Sequence, residues 1–367
     1  MSERPHQTKP RLVVVTGSGR SGTSTVTGAL ARLGLHLPGP LAPADERNPK
    51  GFYETPWVIE ANRAVLESVP VRGNDARPDA AALVEESASA ESAELVARVR
   101  AWLLEHVAGH AQSVVKDPQI FWLHRAWRAA ADEAGIDLSF VTMLRHPVEV
   151  ARSRDTAYLV DKDAEHRRIR EVSNVAAWCN AAYASERAFR GHPRAFVRYD
   201  DLLADWRRAL APLEGALGVD LGAGLRSEPG PGEPHPVDDF IDVSLNRSRA
   251  GWEETSVPPA LRDVAERTWR AVNGLVDAPE DPAALVELDA AREAYAGLHA
   301  DAVALAADHT EAAVAAARRA QRQELQQARS RNRRLRARVE ELERAAPAPG
   351  PARRLAARAA RVVRPRG

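Results

Sequence analysis

Four short apolar runs stand out along the chain: Leu12–Val15, Ser113–Val115, Leu138–Met143 and Ala195–Val197. They are rich in β-branched residues and too short for helices, so they predict strands buried on both faces. Between them lie longer amphipathic or alanine-rich stretches, such as Glu91–Val107 and Asn174–Phe189, which predict helices. Strands of this kind alternating with helices predict an α/β fold, a three-layer parallel sheet flanked by helices. Residues 36–56, punctuated by Pro38, Pro40, Pro43, Pro49 and Pro56, predict a long ordered loop, and residues 226–236 an irregular segment.

The pattern changes at the C-terminal end. Val314, Gln321, Ala328, Leu335 and Leu342 share one heptad position, and Arg318, Leu325, Asn332 and Val339 share the other. This predicts a helical or coiled-coil extension, with Asn332 at an a position, where it would favour a parallel dimer. A single solvated helix is the alternative. The proline-rich segment Ala346–Pro351 then breaks the helix, and the tail from Arg353 to Gly367 holds six arginines and no acid. The expected organisation is a first domain over 10–295, a helical extension over 300–345 and a linker with an arginine-rich tail over 346–367.

The first strand runs into Thr16-Gly17-Ser18-Gly19-Arg20-Ser21-Gly22-Thr23-Ser24 and then directly into a helical pattern. Glycines let backbone N–H groups turn inward toward an anion, and the next helix aims its positive end at the same place. The spacing from Gly17 to Gly22 matches a P-loop, except that Thr23 stands where a nucleotide triphosphatase has lysine. The loop's cation is Arg20 instead. A second constellation follows the third strand: Leu144-Arg145-His146-Pro147, then Ser153. Pro147 suits the first turn of a helix, which leaves Arg145 at the carboxyl edge of the sheet, where open α/β folds bind ligands. A guanidinium and a hydroxyl together can hold a phosphate, although Arg145 could equally be a salt-bridge partner.

Composition narrows the setting. The 367-residue chain is 44% hydrophobic with a formal net charge of zero, enough for a large core and contrary to bulk nucleic-acid binding. Its single cysteine, Cys179, excludes a disulfide scaffold and suits a reducing compartment. The polar start and the short first apolar run fit neither a signal peptide nor a membrane span. The expected location is therefore cytoplasmic, with peripheral contact at the membrane's inner face left open by the basic tail. Arginine far outnumbers lysine, which reads as the base composition of a GC-rich bacterial genome. His106 and His110 have i,i+4 spacing without a third ligand, so no metal is expected. Trp57, Trp122 and Trp127 suit core packing, or flat faces for a sugar.

Taken together, Gly19-Arg20-Ser21-Gly22-Thr23-Ser24 and Leu144-Arg145-His146-Pro147 with Ser153 resemble the bacterial sulfotransferase family that uses 3′-phosphoadenosine 5′-phosphosulfate (PAPS), with its P-loop-like fold. Three further stretches are similar to it in the same order: Asn48-Pro49-Lys50-Gly51-Phe52-Tyr53-Glu54, Val114-Val115-Lys116-Asp117-Pro118 and Val197-Arg198-Tyr199-Asp200-Asp201-Leu202. The likeness covers about residues 10–250. It implies that Ser18, Gly19, Arg20, Ser21, Gly22, Thr23 and Ser24 cradle the 5′-phosphosulfate. It implies likewise that Arg145 and Ser153 take the 3′-phosphate, and that Tyr199 lies near the adenine. Sulfuryl transfer to a hydroxyl, yielding PAP, would then need charge neutralisation and one base. Glu54 is the first candidate for that base, Asp117 the second, and Lys116 a contact to sulfuryl or phosphate oxygens. Glu54 could instead pair with Lys50 or Arg47, and Asp117 could simply shape the turn before Pro118. Leu245-Asn246-Arg247-Ser248-Arg249-Ala250-Gly251-Trp252 partly resembles the segment that closes over the 3′-phosphate.

The implied acceptor is a hydroxylated small molecule or glycan, most simply a carbohydrate or glycolipid. A homodimer through the extension and an anionic membrane surface touched by the tail are the other expected partners, with no specific nucleic acid. Two other functions compete. A P-loop kinase or phosphotransferase would use Asp117 to hold Mg²⁺, and a nucleotide-binding scaffold would act through the coiled coil.

Overall fold

A computed structural model describes residues 9–46, 48–87, 89–222, 225, 235–246 and 251–345. Arg47, most of the irregular segment at 226–236, residues 247–250, the proline-rich linker and the arginine-rich tail lie outside the described residues.

The described residues contain one four-stranded parallel sheet, ordered β2-β1-β3-β4. Its strands are β1 (Arg11–Gly17), β2 (Gln112–Lys116), β3 (Asp137–Leu144) and β4 (Arg194–Arg198). Each contains its apolar run and extends past it at both ends, because the parallel ladder also recruits polar neighbours. Helices connect and cover the strands: α1 (Thr23–Arg32), α2 (Pro56–Ser68), α3 (Ala80–Ser87), α4 (Ser89–His106), α5 (His124–Ala134), α6 (Pro147–Tyr158) and α7 (Ala164–Phe189), then α8 (Tyr199–Ala204) and α9 (Trp206–Leu217).

The run of successive apolar residues in β1 follows from burial on both faces. Leu12 and Val14 enter a core with α2, α4 and α5, whereas Val13 and Val15 enter a second core with α1 and α9. Burying each such side chain contributes roughly 1.5–3 kcal/mol. A third core joins β4 and α7 to the helices Pro259–Asp277 and Pro282–Leu305. This is the three-layer α/β architecture.

Register sets the position of the site. Val15 pairs with Lys116, Gly17 with Met143 and Leu144 with Arg198, so all four strands end at one edge of the sheet. The chain leaves that edge through the glycine loop, through Asp117-Pro118, through Arg145-His146 and through Tyr199. The segment expected as a long loop joins α1 to α2 without a ladder strand or helix, and α2 begins at Pro56.

The described residues form two compact units, the first ending at Ala300 and the second starting at Asp301. The second holds a 39-residue helix, Ala307–Ala345. On it Val314, Leu325, Leu335, Val339 and Leu342, all heptad-core positions, are between 43% and 55% exposed. No described helix is long and apolar enough to cross a membrane.

Candidate active site

The loop from Gly17 to Gly22 is shaped by steric necessity. Gly17 has φ 131°, and a Cβ there would lie 2.7 Å from the Met143 carbonyl oxygen. Gly22 has φ 95°, and a Cβ would overlap the Tyr199 ring. Glycine is required at both, by backbone conformation and by close approach. Arg20, a residue with a Cβ, is also held at positive φ, 79°, a conformation that costs roughly 1–2 kcal/mol and concentrates at ligand clamps. Gly22 caps α1 with no side-chain hydrogen bond, so the first N–H groups of α1 face the loop without a side-chain acceptor. The hydroxyls of Ser18 and Ser21 are buried and have no hydrogen-bond partner among the described residues. A concave loop with unsatisfied donors at a helix N-terminus is suited to hold an oxyanion.

The second constellation folds onto that loop. Arg20 Nε donates to Ser153 Oγ across 3.1 Å, tying α6 to the loop. Arg145 is buried beside it, with Nη1 donating to the Arg20 carbonyl at 3.1 Å and Nε to Glu149 Oε2 at 3.0 Å. Its Nη2 donates to Asn246 Oδ1 at 2.6 Å. The guanidinium lies over the Tyr199 ring, 4.8 Å from its centroid. Burial pushes the Tyr199 phenol up from its ordinary value, against the pull of Arg145. The salt-bridge role considered for Arg145 and its place at the anion edge therefore coexist, through Glu149.

At the end of β2 the chemistry differs. Lys116, 4% exposed, donates to Glu54 Oε1 at 2.7 Å, to the Phe52 carbonyl at 3.0 Å and to Ser24 Oγ at 3.2 Å. Burial pulls its ammonium below the ordinary lysine value, partly offset by Glu54. Asn48 Nδ2 also donates to Ser24 Oγ, at 3.0 Å. Glu54 thus stands at the loop through Lys116 and Ser24; of the two partners considered from the sequence, Arg47 lies outside the described residues. Lys50 lies elsewhere, with Nζ 3.4 Å from the Asp239 carbonyl. Tyr53, next to Glu54, has φ 55°. Asp117 is buried: Oδ2 accepts from Asn62 at 2.5 Å and Oδ1 from the Gln119 N–H at 2.8 Å. Trp127 Nε1 donates to Asn62 in turn, at 2.8 Å. Burial raises the Asp117 carboxyl to about 6, against these two donors. The turn-shaping bond to Gln119 is present, and both carboxylate oxygens are engaged within the fold.

The other candidates fall outside the edge. Trp122 and Trp127 are core residues, and Trp57 stacks on Trp102 with centroids 5.3 Å apart. His110 stacks on His36 rather than joining a ligand set. Three residues at the edge were not singled out from the sequence: Glu149, Asn48's role on Ser24, and Arg154. The i,i+4 spacing of Arg145 and Glu149 was a readable signal for the first. Arg154 had none, because its neighbour across the fold is Gly19, whose added Cβ would lie 3.0 Å from Arg154 Nη2.

Comparison with known proteins bears on what this edge does. The sulfotransferase domain of the Synechococcus PCC 7002 olefin synthase aligns with TM-score 0.39 and 17% identity, over 74% of this chain and 98% of that one. The sulfotransferase domain from the curacin biosynthetic pathway aligns with TM-score 0.39 and 16% identity, over 72% and 98%. No curated protein sequence matches the chain. The model of the sulfotransferase family matches residues 10–222, which includes β1 to β4, the glycine loop, Glu54, Lys116, Arg145, Ser153 and Tyr199. With that span covered, the chain belongs to the sulfotransferase family and is a transferase.

Proposed function

We propose that this transferase moves a sulfuryl group from PAPS to a hydroxyl of a carbohydrate or glycolipid. The observation that carries the reading is the convergence of two anion-binding elements, the glycine loop with α1 and the Arg145–Ser153 pair, tied by the Arg20–Ser153 bond. The unsatisfied hydroxyls of Ser18 and Ser21 fit an oxyanion that accepts from them. When bound, the nucleotide supplies a sulfuryl group on a phosphate leaving group. Ser18 to Ser24 would hold its 5′ end, Arg145 and Ser153 its 3′-phosphate, and Tyr199 its adenine side.

Arg20 brings a fixed cation to the place where negative charge accumulates, and the loop N–H groups add preorganised dipoles. Glu54 receives the proton of the attacking hydroxyl. Lys116 orients Glu54 through their 2.7 Å bond. Asp117 supports the strand end from its bonds to Asn62 and Gln119 and takes no part in the proton transfer. The same bonds disfavour the kinase reading, which needs that carboxylate for Mg²⁺ and a lysine in place of Thr23.

Calorimetric titration of PAP into the wild type and Arg145→Ala tests the reading. Removing a charge-assisted phosphate contact should weaken binding by about 1.5–3 kcal/mol, roughly ten- to hundred-fold or somewhat more. A folded wild type that binds ATP with Mg²⁺ and not PAP would replace this reading with the kinase.

A further inference from the structure

Arg154, on α6, is a cation at the edge that forms no ion pair with a described residue. Its guanidinium sits against Gly19, with Nη2 3.0 Å from where a Cβ would be. Its Nε is buried and has no hydrogen-bond partner among the described residues. The acids of α6 have other partners, Glu149 with Arg145 and Asp155 with Arg167, and Glu254 pairs with Arg152. More cations surround Arg154 instead. Burial lowers the Arg154 guanidinium from its ordinary value, Tyr158 partly offsets this, and Arg170 and Arg20 lower it further. Arg170, on α7, is lowered by burial and by Arg72. Neither Arg154 nor Arg170 forms an ion pair with a described residue.

Arg154 is within electrostatic reach of Arg20 and Arg170, and Arg170 of Arg72. Arg72 begins a turn anchored on both sides: Asn74 Nδ2 donates to Asn174 Oδ1 on α7 at 3.2 Å, and Gly73 abuts Gln119 just after β2. A half-buried cation among like charges is destabilising unless a ligand supplies the counter-charge. The donor's two anionic ends already have the loop and the Arg145–Ser153 pair. Arg154 and Arg170 are assigned to neither end.

We propose that the acceptor is itself an anion, a hydroxyl compound bearing a phosphate or carboxylate group that Arg154 and Arg170 hold beside the glycine loop. The proposal rests on the sulfotransferase reading above and narrows its acceptor class. Two forks in line can grip one oxyanion bidentately and so fix which hydroxyl faces Glu54.

The test is to saturate the full chain with PAPS, so that the donor's anion positions are filled, and titrate inorganic phosphate by calorimetry. Phosphate should bind the loaded wild type, and Arg154→Gln and Arg170→Gln should each weaken it roughly tenfold or more. PAP affinity should meanwhile change by less than about threefold in both variants. Arg154→Lys should recover part of the loss, and Arg170→Gln, at a less enclosed position, reads the site even where Arg154→Gln fails to fold. Acetate in place of phosphate distinguishes the sources: equal binding points to a carboxylate acceptor, much weaker binding to a phosphate ester. No phosphate binding to the loaded wild type overturns the proposal. So does an Arg154→Gln variant that loses PAP as Arg145→Ala does, since Arg154 would then serve the donor. If the wild type binds no PAP at all, the donor reading has failed separately. Phosphate is then titrated into the free protein, where sensitivity to both substitutions upholds the anion site and insensitivity removes it.

Discussion

The two halves of the sheet's carboxyl edge solve opposite electrostatic problems. Around β1 and β3 the fold gathers cations, Arg20, Arg154 and the Glu149-paired Arg145, beside the start of α1 and the Ser18 and Ser21 hydroxyls, which have no partner among the described residues. Around β2 it gathers acids and answers each one, Glu54 with Lys116 and Asp117 with Asn62. In the second half both Asp117 oxygens and the Lys116 ammonium are engaged by described neighbours. In the proposed reading, binding and proton transfer would be separated across a few residues, and Ser24 touches both halves through Lys116 and Asn48.

The comparison is broken most severely at Glu54. Glu54→Gln keeps the shape and removes the proton acceptor, so kcat should fall on the order of 10²- to 10⁴-fold while PAP affinity stays within about threefold. Equal loss of PAP affinity would place Glu54 in the binding half instead. Gly22→Ala attacks the other half. Its Cβ meets the Tyr199 ring at a φ of 95°, so overpacking of about 1–3 kcal/mol adds to roughly 1–2 kcal/mol of backbone strain. Lower thermal stability together with lost PAP binding is the expected result, and a variant as stable as wild type would contradict the close approach.

Asp117 gives the smallest and most pH-specific effect. Its carboxyl titrates near 6 in the fold against 3.8 in the unfolded chain. The folded state therefore holds the proton more tightly, and the stability this contributes is complete below about pH 4 and lost as pH rises through 6. The wild-type-minus-Asp117→Asn difference in unfolding free energy should fall by up to about 3 kcal/mol between pH 4 and pH 7. Urea unfolding at several pH values measures it. A flat difference would mean that Asp117 is solvated like the acids of the surface.

Legibility follows the same division. The loop, α1 and the Arg145-to-Ser153 stretch were readable because each is contiguous and uses a local device: glycines before a helix start, and proline at a first turn. The four strands were readable because burial on both faces imposes a run of apolar residues. The Glu54–Lys116 bond spans 62 residues of sequence, and neither partner's spacing announces the other. From the sequence, Lys50 and Arg47 were the nearer partners for Glu54. Arg154 was silent for a similar reason, since an arginine on a predicted helix reads as a solvated charge until its neighbours are known.

By itself, then, the sequence determined the elements, their order and the glycine loop, because periodicity and turn chemistry act over a few residues. Only the tertiary structure decided which charges are answered. The parallel register brings Val15 beside Lys116 and Gly17 beside Met143, and packing of α6 and α7 sets Arg154 over Gly19 rather than in water. Charge compensation depends on distance and burial in three dimensions, and neither is encoded in the spacing of residues along the chain.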